Sequence, residues 1–286
     1  MAVTTLVRAP QPPTAESPLA AAYARLGEVL PGLRISEVGA GSPLPRGEGW
    51  AHATELAAGG AVLDAFLTWD AEQVRGDYGT EARPDVIASF GLHRYAWPAT
   101  LLITIPYFLL RRVPRFPVDA VAFHRATGRL AVRPAGYACL PDDPAASLPG
   151  AEVVPHEEAL RAAVRAAVAE HLAPVLEGFG PRMRRGPRAL WGAASDEITE
   201  GLWYVGGLLG EERRAIKEAE LLLPGSTAPY PRGAGFRELT APDGTVLPTR
   251  DRASCCLFYT LRPRETCVTC PRTCDAERVE RLTAPR

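Results

Sequence analysis

The sequence predicts an α+β protein: a mainly helical body with short β-hairpins, followed by a small cysteine-bearing C-terminal module. Three observations carry this expectation. Apolar residues recur one turn apart through several stretches long enough for helices. Shorter apolar runs alternate on either side of turn-forming residues, as in hairpins. Five of the six cysteines fall between Cys255 and Cys274.

Taken in order, residues 1–15 read as a disordered, proline-rich lead-in without the apolar core of a secretory leader. Ser17 is placed to cap a helix from Pro18 through Leu30, with Leu19, Tyr23, Leu26 and Leu30 on one stripe. Pro31 to Gly49 leaves room for one short strand. Helical pattern resumes across Leu56 to Val74 and again from about Asp85 to Leu110, where Pro98 is expected to break it. Trp97 to Leu110 is the most apolar stretch; it is 14 residues long and contains two prolines. A bilayer span needs roughly 20 residues, so no transmembrane segment is expected and this one reads as buried. Val118, Val121 and Phe123, a turn from His124 to Gly128, then Leu130 and Val132 spell a hairpin. Pro141 to Pro149 is a loop.

A long helix is expected from near His156, with Glu157 and Glu158 in the first turn, where the macrodipole favours acids. Leu160, Val164, Val168, Leu172 and Leu176 form its buried stripe, and Pro174 should kink or end it. Leu190, Ala194, Ile198, Leu202 and Val205 make a second stripe. Glu211 to Leu223 makes a third helix, stopped by Pro224-Gly225. A linker from Gly225 to Gly235 leads to a hairpin over Phe236 to Leu247, turning at Pro242-Asp243-Gly244. A short helix over Asp275 to Leu282 closes the chain. The division is a body over 16–225 and a module over 235–286.

The chain has 286 residues, 47% of them hydrophobic, which is enough for a substantial core. The formal net charge of -1 lacks the basic footprint that nucleic acid demands. Lys217 is the one lysine and every other basic residue is arginine, as a coding bias would produce. A soluble, cytoplasmic protein is expected. Thiols there stay reduced, so clustered cysteines point to metal or redox chemistry before disulfides.

The five cysteines Cys255, Cys256, Cys267, Cys270 and Cys274 follow the pattern C-C-x10-C-x2-C-x3-C. Disulfides would leave one thiol over, and adjacent cysteines bridge only with strain. Structural zinc suits four thiolates, but only Cys267 and Cys270 have the usual C-x2-C spacing. A 2Fe-2S cluster takes two thiolates on each iron and tolerates irregular spacing. No histidine follows His171, which argues against Rieske ligation. Successive side chains of a regular strand point to opposite faces, so the backbone must bend for Cys255 and Cys256 to reach one cluster. N–H groups of the Cys267–Cys270 loop can point at sulfur. Cys139 stands alone and reads as a small buried residue.

The run Arg252-Ala253-Ser254-Cys255-Cys256-Leu257-Phe258-Tyr259, continued by Cys267-x2-Cys270-Pro271-Arg272, resembles the C-terminal module of the FhuF-like ferric siderophore reductases. Arg185 to Ile198, centred on Leu190-Trp191-Gly192, looks like the family's helical body. The resemblance implies a 2Fe-2S cluster on Cys255, Cys256, Cys267 and Cys270, with Cys274 a bystander. It implies one-electron reduction of ferric siderophore complexes in the cytoplasm, which releases ferrous iron because hard oxygen donors hold that ion poorly. The electron must come from an external ferredoxin- or flavin-type reductase, since the chain has no glycine-rich dinucleotide fingerprint. Two alternatives stand beside this reading: a 2Fe-2S electron-transfer or tailoring protein of a biosynthetic pathway, and a non-enzymatic protein with structural zinc.

Arg182, Arg184, Arg185 and Arg188 are the candidate docking residues for an anionic siderophore or an acidic donor; a solvated loop explains such a run as well. Arg111, Arg112 and Arg115 invite the same pair of readings. Trp191, Trp203 and Tyr204 read as core. His93, Arg94 and Trp97 read as surface residues before a polar pocket.

Overall fold

The computed structural model describes residues 17–39, 41–263 and 265–284. The predicted lead-in at 1–15 lies outside the described residues. The α+β expectation holds. The helices are α1 (Ala20–Val29), α2 (Ala53–Ala58), α3 (Ala61–Tyr78), α4 (Pro84–Leu110), α5 (Glu157–Met183), α6 (Pro187–Leu208), α7 (Glu212–Leu222) and α8 (Asp275–Thr283). Helix α4 is apolar nearly all round and is therefore central, packed against α3, α5 and α6. Among the described residues no helix is long and apolar enough to cross a membrane.

Pro98 does not break its helix, and Pro174 does not end its own. Helix α4 runs unbroken through Pro98 and Pro106, and α5 through Pro174 and Pro181. An interior proline costs about 3 kcal/mol in an isolated helix. Here the continuous burial of α4 from Pro98 to Phe108 outweighs that cost. Pro106 has no N–H for the Leu102 carbonyl, and the Tyr23 hydroxyl of α1 donates to that carbonyl at 2.9 Å instead. All five stripe residues of α5 and all five of α6 are buried as expected.

Two boundaries also move. The stretch from Leu56 to Val74 is not one helix: Gly59, left-handed at φ 67, closes α2 before α3 begins. The Ser17 hydroxyl accepts from the Leu19 N–H one turn early and donates to Glu37, so it stands outside the α1 cap.

The strands form three small sheets. β1 (Arg34–Glu37), β2 (Trp50–His52), β4 (Val121–His124) and β5 (Arg129–Val132) make a mixed sheet in the order β1-β5-β4-β2, with the expected hairpin as its β4–β5 pair. β3 (Arg112–Pro114), β6 (Tyr137–Cys139) and β7 (Ala151–Val153) make the second, and Cys139 is fully buried there. β8 (Phe236–Thr240) and β9 (Val246–Arg250) form the C-terminal hairpin, in register from Phe236–Arg250 to Thr240–Val246. Arg111, Arg112 and Arg115 are all spent on ion pairs within the chain, with Glu157 and Glu218, Asp143, and Glu170.

The stretch between α7 and β8 is held against the body. Tyr230 is fully buried, its hydroxyl donates to the Arg165 carbonyl at 2.7 Å, and the Ala234 N–H bonds the Leu223 carbonyl. This seats the hairpin, and the cysteine loops that follow it, beside α6.

Candidate metal centre

The bend demanded by the adjacent cysteines is present. Cys255 and Cys256 lie outside any strand, and Leu257 follows in the left-handed conformation at φ 64. That conformation costs an L-residue about 1–2 kcal/mol. The Leu257 side chain offsets it by packing against Val74, Val86, Ile87 and Leu261. The same turn aims the Leu257 N–H at Cys255 Sγ, 3.4 Å away. The second loop closes on a turn in which the Cys270 N–H bonds the Cys267 carbonyl at 2.9 Å.

Both loops are anchored by one face of α6. Asp196 is fully buried; its carboxylate accepts the N–H groups of Ala253 (2.8 Å) and Ser254 (2.9 Å) and pairs with the equally buried Arg250. Glu200, one turn on, accepts from Arg250 at 2.7 Å and is also reached by Arg252 (3.4 Å) and by the Thr269 hydroxyl (3.3 Å) in the second loop. Gly192 permits this approach: a Cβ there would stand 3.1 Å from the Ala253 carbonyl and 3.3 Å from the Ser254 side chain. That gives the Leu190-Trp191-Gly192 stretch a local reason.

Helix α8 secures the other side. Arg278 is buried and spreads its guanidinium over the Thr273, Arg250 and Cys270 carbonyls, the Thr249 hydroxyl and the Asp251 carboxylate. A guanidinium has five donors in a fixed fork, and here they tie β9 to the second cysteine loop.

Cys256 and Cys267 face each other with their Sγ atoms 3.7 Å apart. Two thiolates on one tetrahedral metal, at bonds of about 2.3 Å, stand about 3.8 Å apart, so this pair fits a shared iron. Removal of the first proton is eased at Cys256, because the Cys267 thiol donates to it and the Phe258 N–H and Arg252 add to that support. Cys255 lines the same cavity, and Cys270 is buried at the end of its loop. Among the described residues no three histidine, cysteine or acidic side chains gather on a single ion's position. A two-iron rhomb spreads its anchoring points more widely than one zinc ion does. Cys274 is exposed at the N-terminus of α8.

The thiols open into a cavity of about 220 Å³ whose wall includes Cys255, Cys256, Cys267, Arg252, Arg185 and His93. Burial disfavours the Arg252 charge, but the negative charges of Asp196, Glu200 and an ionised Cys256 more than reverse this and hold it protonated. His93 Nδ1 lies 2.8 Å from Glu197, whose carboxylate raises the imidazole pKa against the opposing effect of burial. His93 is the surface histidine expected, its side chain 57% exposed and satisfied by Glu197, and it also lines the rim of this cavity.

The basic run divides. Arg185 reaches the cavity and donates to Ser254 Oγ at 3.2 Å. Arg188 lines only an outer cleft beside Cys255. Arg182 is paired with Asp64 at 2.9 Å, and Arg184 ends α5 in the left-handed conformation. Tyr204, expected in the core, is 53% exposed.

Sequence reasoning missed Asp196, Glu197, Glu200, Arg250, Arg252 and Arg278 as site residues. One signal was present. Three carboxylates within five residues of an apolar helix must be paired when buried, and Arg250 and Arg252 immediately precede the cysteines.

Residues 252–272 match the family model described as the FhuF 2Fe-2S C-terminal domain. The match contains Cys255, Cys256, Cys267 and Cys270, which fit its motif, and leaves Cys274 outside. The cofactor of this segment is therefore a 2Fe-2S cluster, and the protein is an iron–sulfur protein related to siderophore chemistry. No curated protein and no solved structure matches the chain.

Proposed function

We propose that this protein reduces ferric siderophore complexes by one electron at a time and so releases ferrous iron. The observation that carries the reading is the coincidence of the matched cysteine motif with a cavity walled by three of its thiols and by arginine side chains. Cys255, Cys256, Cys267 and Cys270 would hold the cluster, and the 3.7 Å spacing of the Cys256 and Cys267 sulfurs suits two thiolates of one metal ion. The bound cluster supplies a one-electron carrier, which suits a one-electron task.

The chain's own residues do the rest. Arg252 and Arg185 present guanidinium groups that attract the anionic oxygen donors of the chelate. Leaving donor oxygens need protons once ferrous iron departs. His93 is more readily protonated than a free histidine, and with Nδ1 on Glu197 its Nε2 is free to serve the cavity. Asp196 and Glu200 keep both loops in place. In this reading the body over 16–225 contributes the chelate-facing wall from α4 and α6, the module over 235–286 contributes the thiols, and the reaction is cytoplasmic.

The test is anaerobic. Protein reduced with dithionite and freed of excess reductant is mixed with ferric siderophores and a colorimetric ferrous chelator. Oxidation of the cluster in step with ferrous iron release is expected. A protein that passes electrons to another acceptor but to no ferric siderophore would end the reductase reading.

A further inference from the structure

The thiols have a second approach beside the cavity. An outer cleft of about 450 Å³ also reaches Cys255 and shares Arg185, Ser254 and Cys255 with the cavity wall. Its wall carries Arg185, Arg188 and Arg232 and no acidic residue. Arg188 stands at the start of α6 and Arg232 in the stretch before β8, so the two cations come from segments over forty residues apart in the chain. Both are exposed, and among the described residues neither makes an ion pair. Other described arginines, Arg75 and Arg213 among them, also make no ion pair; what sets Arg188 and Arg232 apart is that they share one cleft that reaches Cys255.

We propose that this cleft is the docking surface for an acidic one-electron carrier protein, which delivers the electron by way of Cys255 while the chelate occupies the neighbouring cavity. Charge complementarity argues for it. Like charges left unpaired at a surface raise the local potential and steer an oppositely charged partner. The cleft lacks the histidine and the aromatic wall of the inner cavity; besides Ser254 and Cys255 its other lining is Gly186, Pro187, Ala189, Pro231 and Ala253, short groups beside the exposed arginines. Cations spread over two segments around a shallow opening suit a broad protein face better than a small chelate. The electron balance is simple. One electron leaves the reduced carrier, which is oxidised, and enters the cluster bound to this chain, which is reduced; no bond or proton is exchanged. The inference rests on the redox role of the cluster and not on the identity of the final acceptor.

The experiment uses the cluster-loaded full chain and the double variant Arg188→Glu/Arg232→Glu, with a reduced plant-type 2Fe-2S ferredoxin as the acidic probe. Bleaching of the cluster is followed by stopped flow without any siderophore, and affinity between the oxidised proteins is measured by calorimetry at low and high salt. For the wild type, reduction should slow steeply with salt, because charge pairs at a surface are screened over about 10 Å at 0.1 M. The variant should be reduced about tenfold or more slowly at low salt, with a flattened salt dependence and weakened binding. Photoreduced deazaflavin should reduce both proteins equally, which shows that the variant's cluster is intact. Siderophore reduction by pre-reduced protein should also be equal. The proposal is overturned if ferredoxin fails to reduce the wild type, or if it reduces the variant at the wild-type rate and salt slope. It is equally overturned if the variant instead loses affinity for the ferric chelate, which would make the cleft a chelate site. The ferredoxin and deazaflavin outcomes stand whether or not siderophore reduction itself is found.

Discussion

Replacing Asp196 tests whether α6 builds the metal centre. The carboxylate is fully buried and serves three donors: the Arg250 guanidinium and the Ala253 and Ser254 N–H groups at 2.8 and 2.9 Å. Asp196→Asn keeps the shape. It removes the charge opposite a buried arginine and turns an NH2 group toward a donor. Breaking one side of a buried ion pair costs about 3–5 kcal/mol. Leaving a buried N–H unpaired costs about 1–3 kcal/mol. The two overlap, because Glu200 and the Ala234 carbonyl still hold Arg250. A loss of about 3–5 kcal/mol in urea unfolding is therefore expected. The loss should fall where the loop meets the thiols, so cluster content per chain, from visible absorption and iron analysis, should drop as well. Asp143→Asn is the control. Asp143 pairs with Arg112 more than a hundred residues before the cluster cysteines, and its loss should lower stability without changing cluster content. If Asp196→Asn retains wild-type cluster content and an unfolding midpoint near wild type, the anchoring argument is wrong. If Asp143→Asn depletes the cluster equally, the effect belongs to general stability and not to the α6 face.

Two further outcomes follow from the same geometry. His171 is held neutral, its Nδ1–H donating to the Phe116 carbonyl (2.9 Å) and its Nε2 accepting from the Tyr95 hydroxyl (2.8 Å), and burial lowers its pKa from 6.5 to about 4. The unfolded chain therefore takes up the proton first as pH falls; this contribution is complete above pH 6.5 and is lost toward pH 4, with about 2 kcal/mol gone by pH 5. Denaturation of wild type and His171→Gln at pH 8 and pH 5 should show that part of the pH dependence only in the wild type; identical dependences would refute the assignment. Serine at Cys255, Cys256, Cys267 or Cys270 should abolish the cluster's visible absorption, whereas Cys274→Ser should leave it unchanged. An altered spectrum in Cys274→Ser would reassign the ligands.

What was legible in the sequence is what local pattern encodes. The α5 and α6 stripes, the hairpins at His124–Gly128 and Pro242–Gly244 and the closing helix each follow from a few neighbouring residues. The cysteine spacing is local too, and even the bend after Cys256 followed from strand geometry. The errors lie where distant residues override local preference. Pro98 and Pro106 sit in an unbroken α4 because the surrounding core rewards its continuity and because Tyr23, some eighty residues away in the chain, meets the orphaned Leu102 carbonyl. His93 is at the surface as expected, but its partner Glu197 is more than a hundred positions downstream and no local pattern announces it.

The counter-charges of the site were hidden for a different reason. Four thiolates, two sulfides and two ferric irons sum to a charge of -2, so a cluster of this type needs cations close by. Arg252 supplies one, balanced in turn by Asp196 and Glu200. In most chains an arginine next to a cysteine motif would stand out against the lysines elsewhere. Here Lys217 is the one lysine, so choosing arginine carries no information at any single position. Only the partner distinguishes a structural arginine from a functional one: Arg250 and Arg278 are buried on carboxylates, Arg252 is shared between carboxylates and a thiol, and Arg188 and Arg232 project without an acid beside them. That sorting exists in three dimensions alone, and it is the reason the two approaches to Cys255 carry different chemistry.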